Sequence, residues 1–333
     1  MRHSEVFGTM NKLLDYVRGP FVLIILIVIA RFLFPSKMTF LLEITIFSIY
    51  IMANDILYGY MGMVSFGQPF YLGVGAYAAG LYLAHLGHNP LVAILMAILL
   101  GLVTGAILGP AFIRLRGDYY ALINAATCGM GLFLVEKILI SITNGDDGLM
   151  YRSRMHATPL LDLRKPDEFF WFSMIVLFVI MILYTWLDRS TIGASFRAIK
   201  VNESKMKFLG YDTFKIRWIG YTMMTVLAAL AGALFAINYG FINPNITAPD
   251  RAAEVLVATL LGGPGSIYGP FFGTAAFIGL RDLVSTFVSR WELAMGILTI
   301  IVCFKFKGGV WGTIQLIGSK IKGSKAKPTA QSA

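Results

Sequence analysis

Apolar runs, most of them near the ~20 residues that cross ~30 Å of hydrocarbon as a helix, recur along almost the whole chain. They fall at 20–36 (broken by Arg31), 39–58, 68–86, 90–113, 119–142, 169–187, 217–240, 252–264, 266–284 and 290–305. Hydrophobic residues make up 57% of the 333 positions and charged ones only 14%, against about 45–50% and about 25% in soluble domains. No water-soluble fold hides that much apolar surface. The expected fold is an all-α membrane protein, a polytopic helical bundle of about ten spans in one compact body. Residues 1–19 form an N-terminal segment, 20–305 the transmembrane domain with a long loop at 188–216, and 306–333 a basic tail.

The eighth run is short, about a dozen residues before Gly262, Gly263, Pro264 and Gly265, and so reads as a half-helix or a re-entrant segment. Charge bias bears on it. The 188–217 loop holds Arg189, Arg197, Lys200, Lys205, Lys207, Lys215 and Arg217 against Asp188, Glu203 and Asp212, and the tail carries Lys305, Lys307, Lys320, Lys322, Lys325 and Lys327. Both belong in the cytoplasm by the excess of cations, as does the basic N-terminus. The 243–251 loop is then outside, and three crossings must follow it to bring the tail back in. Loop 143–168, with its nearly balanced charge, faces outward. The start of the chain imitates a secretory signal, but its basic region is too long and no small-residue cleavage site follows, so it reads as an uncleaved first span.

The formal net charge of +10 comes from cations between the spans and reports membrane orientation, not a nucleic-acid partner. Cys128 and Cys303 lie far apart in apolar stretches, without the spacing of a disulfide framework or a zinc site. No GxxxxGK[ST], HExxH or GxSxG occurs, and the four His residues are scattered. The chain therefore has no nucleotide-binding loop of that type, no catalytic constellation and no metal site, and any ATP-derived energy must come from a partner.

Ionisable residues inside the runs are Arg31, Glu43, Asp55, Glu136 and Lys137. Each costs at least ~2.5 kcal/mol at mid-bilayer and so invites a functional reading. Arg31, near a span end, is expected to snorkel. Glu136 and Lys137 point ~100° apart on a helix and do not pair. Glu43, Asp55 and Glu136 suit pairing or a water-lined crevice, with direct substrate contact as the alternative. Asp55, Gln68 and Glu136 are the residues assigned to the translocation path.

Small residues at helical spacing, Gly101-x-x-x-Gly105 and Ala228-x-x-x-Gly232, allow close helix packing. An internal echo links Ser65-Phe-Gly-Gln-Pro-Phe-Tyr-Leu-Gly73 with Ser266-Ile-Tyr-Gly-Pro-Phe-Phe-Gly273, a pointer to two pseudo-symmetric halves with a site between them. Residues 190–210 alternate apolar and charged positions with helical period and end on Gly210, with Phe196, Ile199, Met206 and Leu209 on one apolar side. That pattern fits a helix lying on lipid headgroups and equally a helix docked in the groove of a cytoplasmic partner.

An ordered series of motifs carries a resemblance over most of the chain. It runs through Ser65-Phe-Gly-Gln with Gly73-Val-Gly-Ala-Tyr77, Arg114-Leu-Arg-Gly-Asp-Tyr-Tyr-Ala121 and Thr143-Asn-Gly-Asp-Asp-Gly-Leu149. It continues with Ser190-Thr-Ile-Gly-Ala-Ser-Phe-Arg-Ala-Ile199, Leu230-Ala-Gly-Ala-Leu-Phe-Ala236 and Leu261-Gly-Gly-Pro-Gly-Ser-Ile-Tyr-Gly-Pro270. The series resembles the M-type membrane subunits of ABC importers for branched-chain amino acids. The resemblance implies a non-catalytic, cofactor-free permease of the bacterial inner membrane. Its implied partners are a second related permease subunit, two ATPase subunits and a periplasmic or lipid-anchored binding protein. It also implies that 190–210 is the coupling helix, with Gly193, Arg197, Glu203 and Gly210 as ATPase-coupling residues. Related permeases carry urea, short amides or aromatic acids. This chain departs from the family pattern at Thr143-Asn-Gly-Asp-Asp-Gly148 and at Lys305-Phe-Lys-Gly-Gly-Val-Trp311, which leaves the substrate open. A secondary transporter is the rival reading, and it calls for a denser set of intramembrane polar groups.

Overall fold

The computed structural model describes residues 19–157, 161–287, 293–294, 296–297, 300 and 308–321. The expected N-terminal segment, most of the 290–305 span, Cys303 and the end of the basic tail lie outside the described residues. The helices are α1 (Gly19–Leu33), α2 (Met38–Asp55), α3 (Gln68–Leu81), α4 (Pro90–Phe112), α5 (Gly117–Phe133) and α6 (Ile140–Thr143). They continue with α7 (Pro166–Arg189), α8 (Thr191–Phe208), α9 (Thr213–Tyr239), α10 (Asp250–Gly262), α11 (Gly269–Phe287) and α12 (Gly309–Ile321). Wider π turns at Ile56–Tyr60, Tyr82–Leu86 and Leu134–Ile138 extend α2, α3 and α5. The chain is an all-α polytopic membrane protein. Among the described residues, five helices are long and apolar enough to cross a bilayer alone: Pro35–Tyr60, Pro90–Phe112, Gly117–Ile138, Pro166–Arg189 and Thr213–Tyr239.

Local chemistry sets the helix ends. Asn89 caps α4 by accepting from the Leu91 N–H (2.9 Å), with Pro90 in the first turn. Asp167 and Glu168 sit in the first turn of α7, where the helix dipole favours an anion. Ser190 caps α8 through the Gly193 N–H (3.1 Å), and Asp212 caps α9 through the Lys215 N–H (3.1 Å).

The bundle has two distinct ends. At the α8 end lie Tyr60–Gly67, the α4–α5 turn, and residues 188–217, tied by contacts such as Lys200 Nζ to the Gly59 carbonyl (2.8 Å). At the far end, the loop after α5 pairs with the segment after α9 through a short antiparallel ladder, Leu149 opposite Ile242 and Met150 opposite Phe241. There Arg31, at the end of α1, does not merely snorkel but bonds Asp167 (2.7 Å).

The core centres on α9, which packs against α2, α3 and α4. Two glycines set the α3–α9 spacing. A Cβ on Gly75 would lie 2.0 Å from the Ala229 carbonyl oxygen, and one on Gly232 would lie 2.0 Å from that of Leu72. The echo 65–73/266–273 has a structural counterpart. Ser65 Oγ accepts from the Gly67 N–H (3.3 Å) at the entrance to α3, and Ser266 Oγ accepts from the Gly269 N–H (3.0 Å) at the entrance to α11. Each entrance leads to a proline and, a turn later, to a glycine (Gly73, Gly273) pressed against a neighbour.

The short eighth run is α10, 13 residues or about 20 Å long. Ahead of it, residues 244–247 dip into the bundle, with Ile246 and Thr247 buried against Gly73. The chain thus enters α10 already inside the bundle, and the Arg251 guanidinium lies 5.9 Å above the Phe235 ring. It leaves at the α8 end, where Tyr268 meets Gly19 and Gly265 meets Gly59.

α8 corrects one expectation. Asn202 has extended backbone (φ −164°, ψ 97°) and breaks the helix in two. Phe196, Ile199 and Met206 are buried as the period requires, but Leu209, expected on the same side, is 73% exposed. Leu209 lies just past the last helical residue, Phe208, with φ −79° and ψ 3°, and so leaves the periodic face. Gly210 then stops the helix with φ +83°.

Candidate functional site

The end of α2 places three buried polar groups at the junction of the two echo motifs. Asn54, Asp55 and Gln68 are each 0% exposed. Asn54 Oδ1 accepts from Gln68 Nε2 (2.5 Å), at the entrance to α3, while its Nδ2 donates to Thr259 Oγ1 (2.7 Å) on α10. Asp55 holds the loop between α10 and α11: its Oδ1 accepts from the Gly265 N–H (2.8 Å) and its Oδ2 from the Tyr184 hydroxyl (2.6 Å) on α7. Gly265 has φ +77°, which a side chain would strain, and this conformation aims its N–H at the carboxyl. Buried polar groups of this kind are costly unless bonded, so the junction is held by specific partners and not by packing alone.

From this junction a chain of contacts runs to α8. The rings of Tyr184 and Tyr60 meet edge to face, 5.5 Å apart at 89°. Tyr60 donates to Asp188 Oδ1 (2.8 Å), the same oxygen that Arg197 Nη1 approaches at 2.5 Å. Arg197 Nη2 adds a bond to the Asp188 carbonyl (2.7 Å), and its guanidinium lies 5.6 Å above the Tyr60 ring. Lys200, one turn on, donates to the Gly59 carbonyl (2.8 Å) in the π turn that ends α2. A displacement of α8 would therefore reach Asp55 and Gly265 through side-chain contacts.

The residues singled out from sequence take different places in this arrangement. Asp55 and Gln68 come together at the junction, and Arg197 joins them through Asp188, Tyr60 and Tyr184. Gly193 is buried at the α7–α8 elbow, where a Cβ would lie 2.0 Å from the Leu187 carbonyl oxygen. Glu203 turns inward to its own chain, meeting Arg116 (2.9 Å), Thr213 (3.1 Å), Lys207 (3.3 Å) and Arg217 (3.9 Å). Partial burial works to raise the pKa of its carboxyl, but Arg217, Lys207, Thr213 and Arg116 outweigh that and hold it below the usual range. Glu136 stands apart on the π turn after α5, half-buried, and its carboxylate makes no ion pair among the described residues. Asn54, Tyr60, Tyr184, Asp188, Lys200, Thr259 and Gly265 were not singled out. Only Asn54, next to an intramembrane acid, carried a local signal.

Comparison with known proteins places the chain in context. Residues 37–304 match the family described as branched-chain amino acid transport system / permease component. The high-affinity branched-chain amino acid transport system permease protein LivM of Salmonella typhimurium strain LT2 is 26% identical over 273 residues, covering 74% of this chain and 63% of the relative. The probable branched-chain amino acid transport permease protein LivM of Methanocaldococcus jannaschii is 25% identical over 279 residues, 72% of this chain and 79% of the relative. The autoinducer 2 import system permease protein LsrC of Enterobacter sp. strain 638 is 29% identical over 219 residues, 64% of this chain and 61% of the relative. No solved structure matches.

Proposed function

This chain belongs to the family of permease components of branched-chain amino acid transport systems, and on that premise we propose that it is the membrane-spanning subunit of an ATP-driven importer. Its cargo is a branched-chain or other hydrophobic amino acid delivered by a binding protein, and ATP is hydrolysed by partner subunits. The relatives are named for the transport of branched-chain amino acids and of autoinducer 2. Selection is therefore assigned to the binding protein and not to this fold.

The observation that carries the reading is the contact path from α8 to Asp55 and the Gly265 loop. The α8 end gathers Arg114, Arg116, Arg189, Arg197, Lys200, Lys205, Lys207, Lys215 and Arg217 against four acids, Asp118, Asp188, Glu203 and Asp212. That excess orients it to the cytoplasm of a bacterial inner membrane. There α8 still exposes Val201 (85%) and Phe208 (92%), apolar groups suited to an ATPase groove. Movement of α8 with the ATPases would pull Asp188, Tyr60 and Lys200, loosen the Asp55 clasp on the α10–α11 loop, and shift one half of the bundle against the other. The path for the amino acid would lie against a second permease subunit.

Reconstitution with the ATPase and binding-protein partners tests this. Leucine uptake should require ATP and the binding protein, and Arg197→Glu, which sets an anion beside Asp188, should lower uptake at least about tenfold without detaching the chain from the membrane. Uptake driven by an ion gradient alone would overturn the reading. Uptake of urea but not leucine would overturn the cargo.

A further inference from the structure

The α8 end contains a basic cavity that the coupling path does not use. It has a volume of about 380 Å3, and its lining includes Arg114, Arg116, Lys207, Arg217, Glu203 and Asp212. That size falls within the range of small-ligand sites, about 300–1,000 Å3. Four cations face two acids. Glu203 alone is shared by Arg116, Lys207 and Arg217, and Asp212 is taken by Lys215 (3.2 Å). Arg114 has no ion-pair partner among the described residues. Arg217 is 6% exposed, its Nη2 donating to the Leu115 carbonyl (3.0 Å), and its other face lines a second cavity of about 250 Å3 beside Tyr120. Arg217 is therefore held in place, and the four cations together are only partly neutralised.

The rim is apolar. Tyr211 (53%) and Phe214, both in the lining, stand exposed at the start of the α9 span. Aromatic residues in this position sit at the headgroup level of a bilayer, next to acyl chains. A basic hollow with an apolar rim, at the root of two membrane helices, matches an amphiphile with an anionic head. A soluble anion would have no use for the rim.

We propose that this cavity binds the phosphate headgroup of an anionic phospholipid of the cytoplasmic leaflet, with the acyl chains leaving past Tyr211 and Phe214. The headgroup shares Arg116, Lys207 and Arg217 with Glu203, so an occupied cavity ties the second half of α8 to the α4–α5 turn through the lipid. Only the leaflet rests on the orientation proposed above.

The test uses the assembled transporter in nanodiscs of phosphatidylcholine with a fraction of phosphatidylglycerol, and native mass spectrometry counts the retained lipids. Arg114→Gln combined with Lys207→Gln should lower phosphatidylglycerol retention about ten- to thirty-fold, the scale expected for two cations at a lipid surface. Phosphatidylcholine retention and the elution profile should stay unchanged, which controls for folding. Arg164→Gln at the far end should have no effect. Equal retention by the double variant overturns the proposal, as does displacement of the lipid by excess inorganic phosphate, which would make this a free-anion site. Crosslinking of Arg114→Cys to the ATPase in native membranes would make it a protein socket and also overturn it. Labelling of Arg114→Cys by an impermeant maleimide in right-side-out vesicles would instead remove the orientation, and the retention result would stand apart from it.

Discussion

Two seams hold this bundle together by opposite means. Along α4, the buried positions Ala93, Ala97, Gly101, Gly105 and Gly109 recur every fourth residue. They press against α9 at Trp218, Thr222, Thr225 and Ala229, while Gly75 and Gly232 bring α3 and α9 into backbone contact. Side-chain hydrogen bonds are sparse along this seam, with Thr225 Oγ1 to the Gly101 carbonyl (2.9 Å) and the Tyr71–Tyr221 hydroxyl pair (2.5 Å) crossing it. Around the end of α2 the pattern reverses, with Asn54, Asp55, Gln68, Tyr184 and Thr259 joined by hydrogen bonds that span four helices and a loop. Lipid supplies no hydrophobic drive to helix association, so close packing of small residues makes a seam with essentially one arrangement. Hydrogen bonds can be exchanged for others of similar energy, so the polar seam is the one able to have two. On the reading proposed above, the first would be the scaffold and the second the moving joint.

The largest effect should come from the scaffold. Gly232→Leu puts a side chain where a Cβ alone would be 2.0 Å from the Leu72 carbonyl oxygen, and only prying α3 from α9 relieves that. The cost exceeds the ~1–3 kcal/mol of ordinary overpacking. The expected outcome is loss of a monodisperse peak after detergent extraction. A well-folded Gly232→Leu protein would show that this seam can open.

Asp55→Leu should act on the joint instead. It leaves the Gly265 N–H and the Tyr184 hydroxyl without their acceptor, at about 1–3 kcal/mol each. Protein should still be recovered, with a lower melting temperature, while reconstituted uptake falls about tenfold or more. Asp55→Asn keeps an acceptor for Gly265 and lets the Tyr184 hydroxyl accept in turn, so uptake should return part of the way. Equal loss in both variants would mean that the charge matters and the clasp does not.

The scaffold was far more legible in the sequence than the joint. Gly101-x-x-x-Gly105 and Ala228-x-x-x-Gly232 announce close packing because the signal lies within one helix, and the apolar runs show the spans for the same reason. Asp55 and Gln68 stood out as polar groups in apolar or Gly-rich surroundings. Their partners did not, because Tyr184 and Gly265 are 129 and 210 residues from Asp55 and no local pattern links them. Leu209 was misplaced for a different reason: it comes after Asn202, where one extended residue interrupts the helix, and lies just past the last helical residue. The depth reached by α10 was hidden likewise, since it depends on Ile246 and Thr247 dipping against Gly73.

The smallest expected effects give the sharpest test, because the same atom can be removed from each seam. Tyr184→Phe deletes the hydroxyl that bonds Asp55 Oδ2, and Thr225→Val deletes the hydroxyl that bonds the Gly101 and Thr222 carbonyls. Each removes one buried donor from a filled site and should lower stability by about 1–2 kcal/mol, a fall of a few degrees in melting temperature. Uptake should separate them. In the joint, the freed Asp55 oxygen loosens the path to α8, and uptake by Tyr184→Phe should drop about three- to fivefold. In the scaffold, the Gly101 carbonyl remains bonded within its own helix, and Thr225→Val should transport at close to the normal rate. If the two variants lost the same uptake for the same loss of stability, the seams would differ in chemistry but not in role.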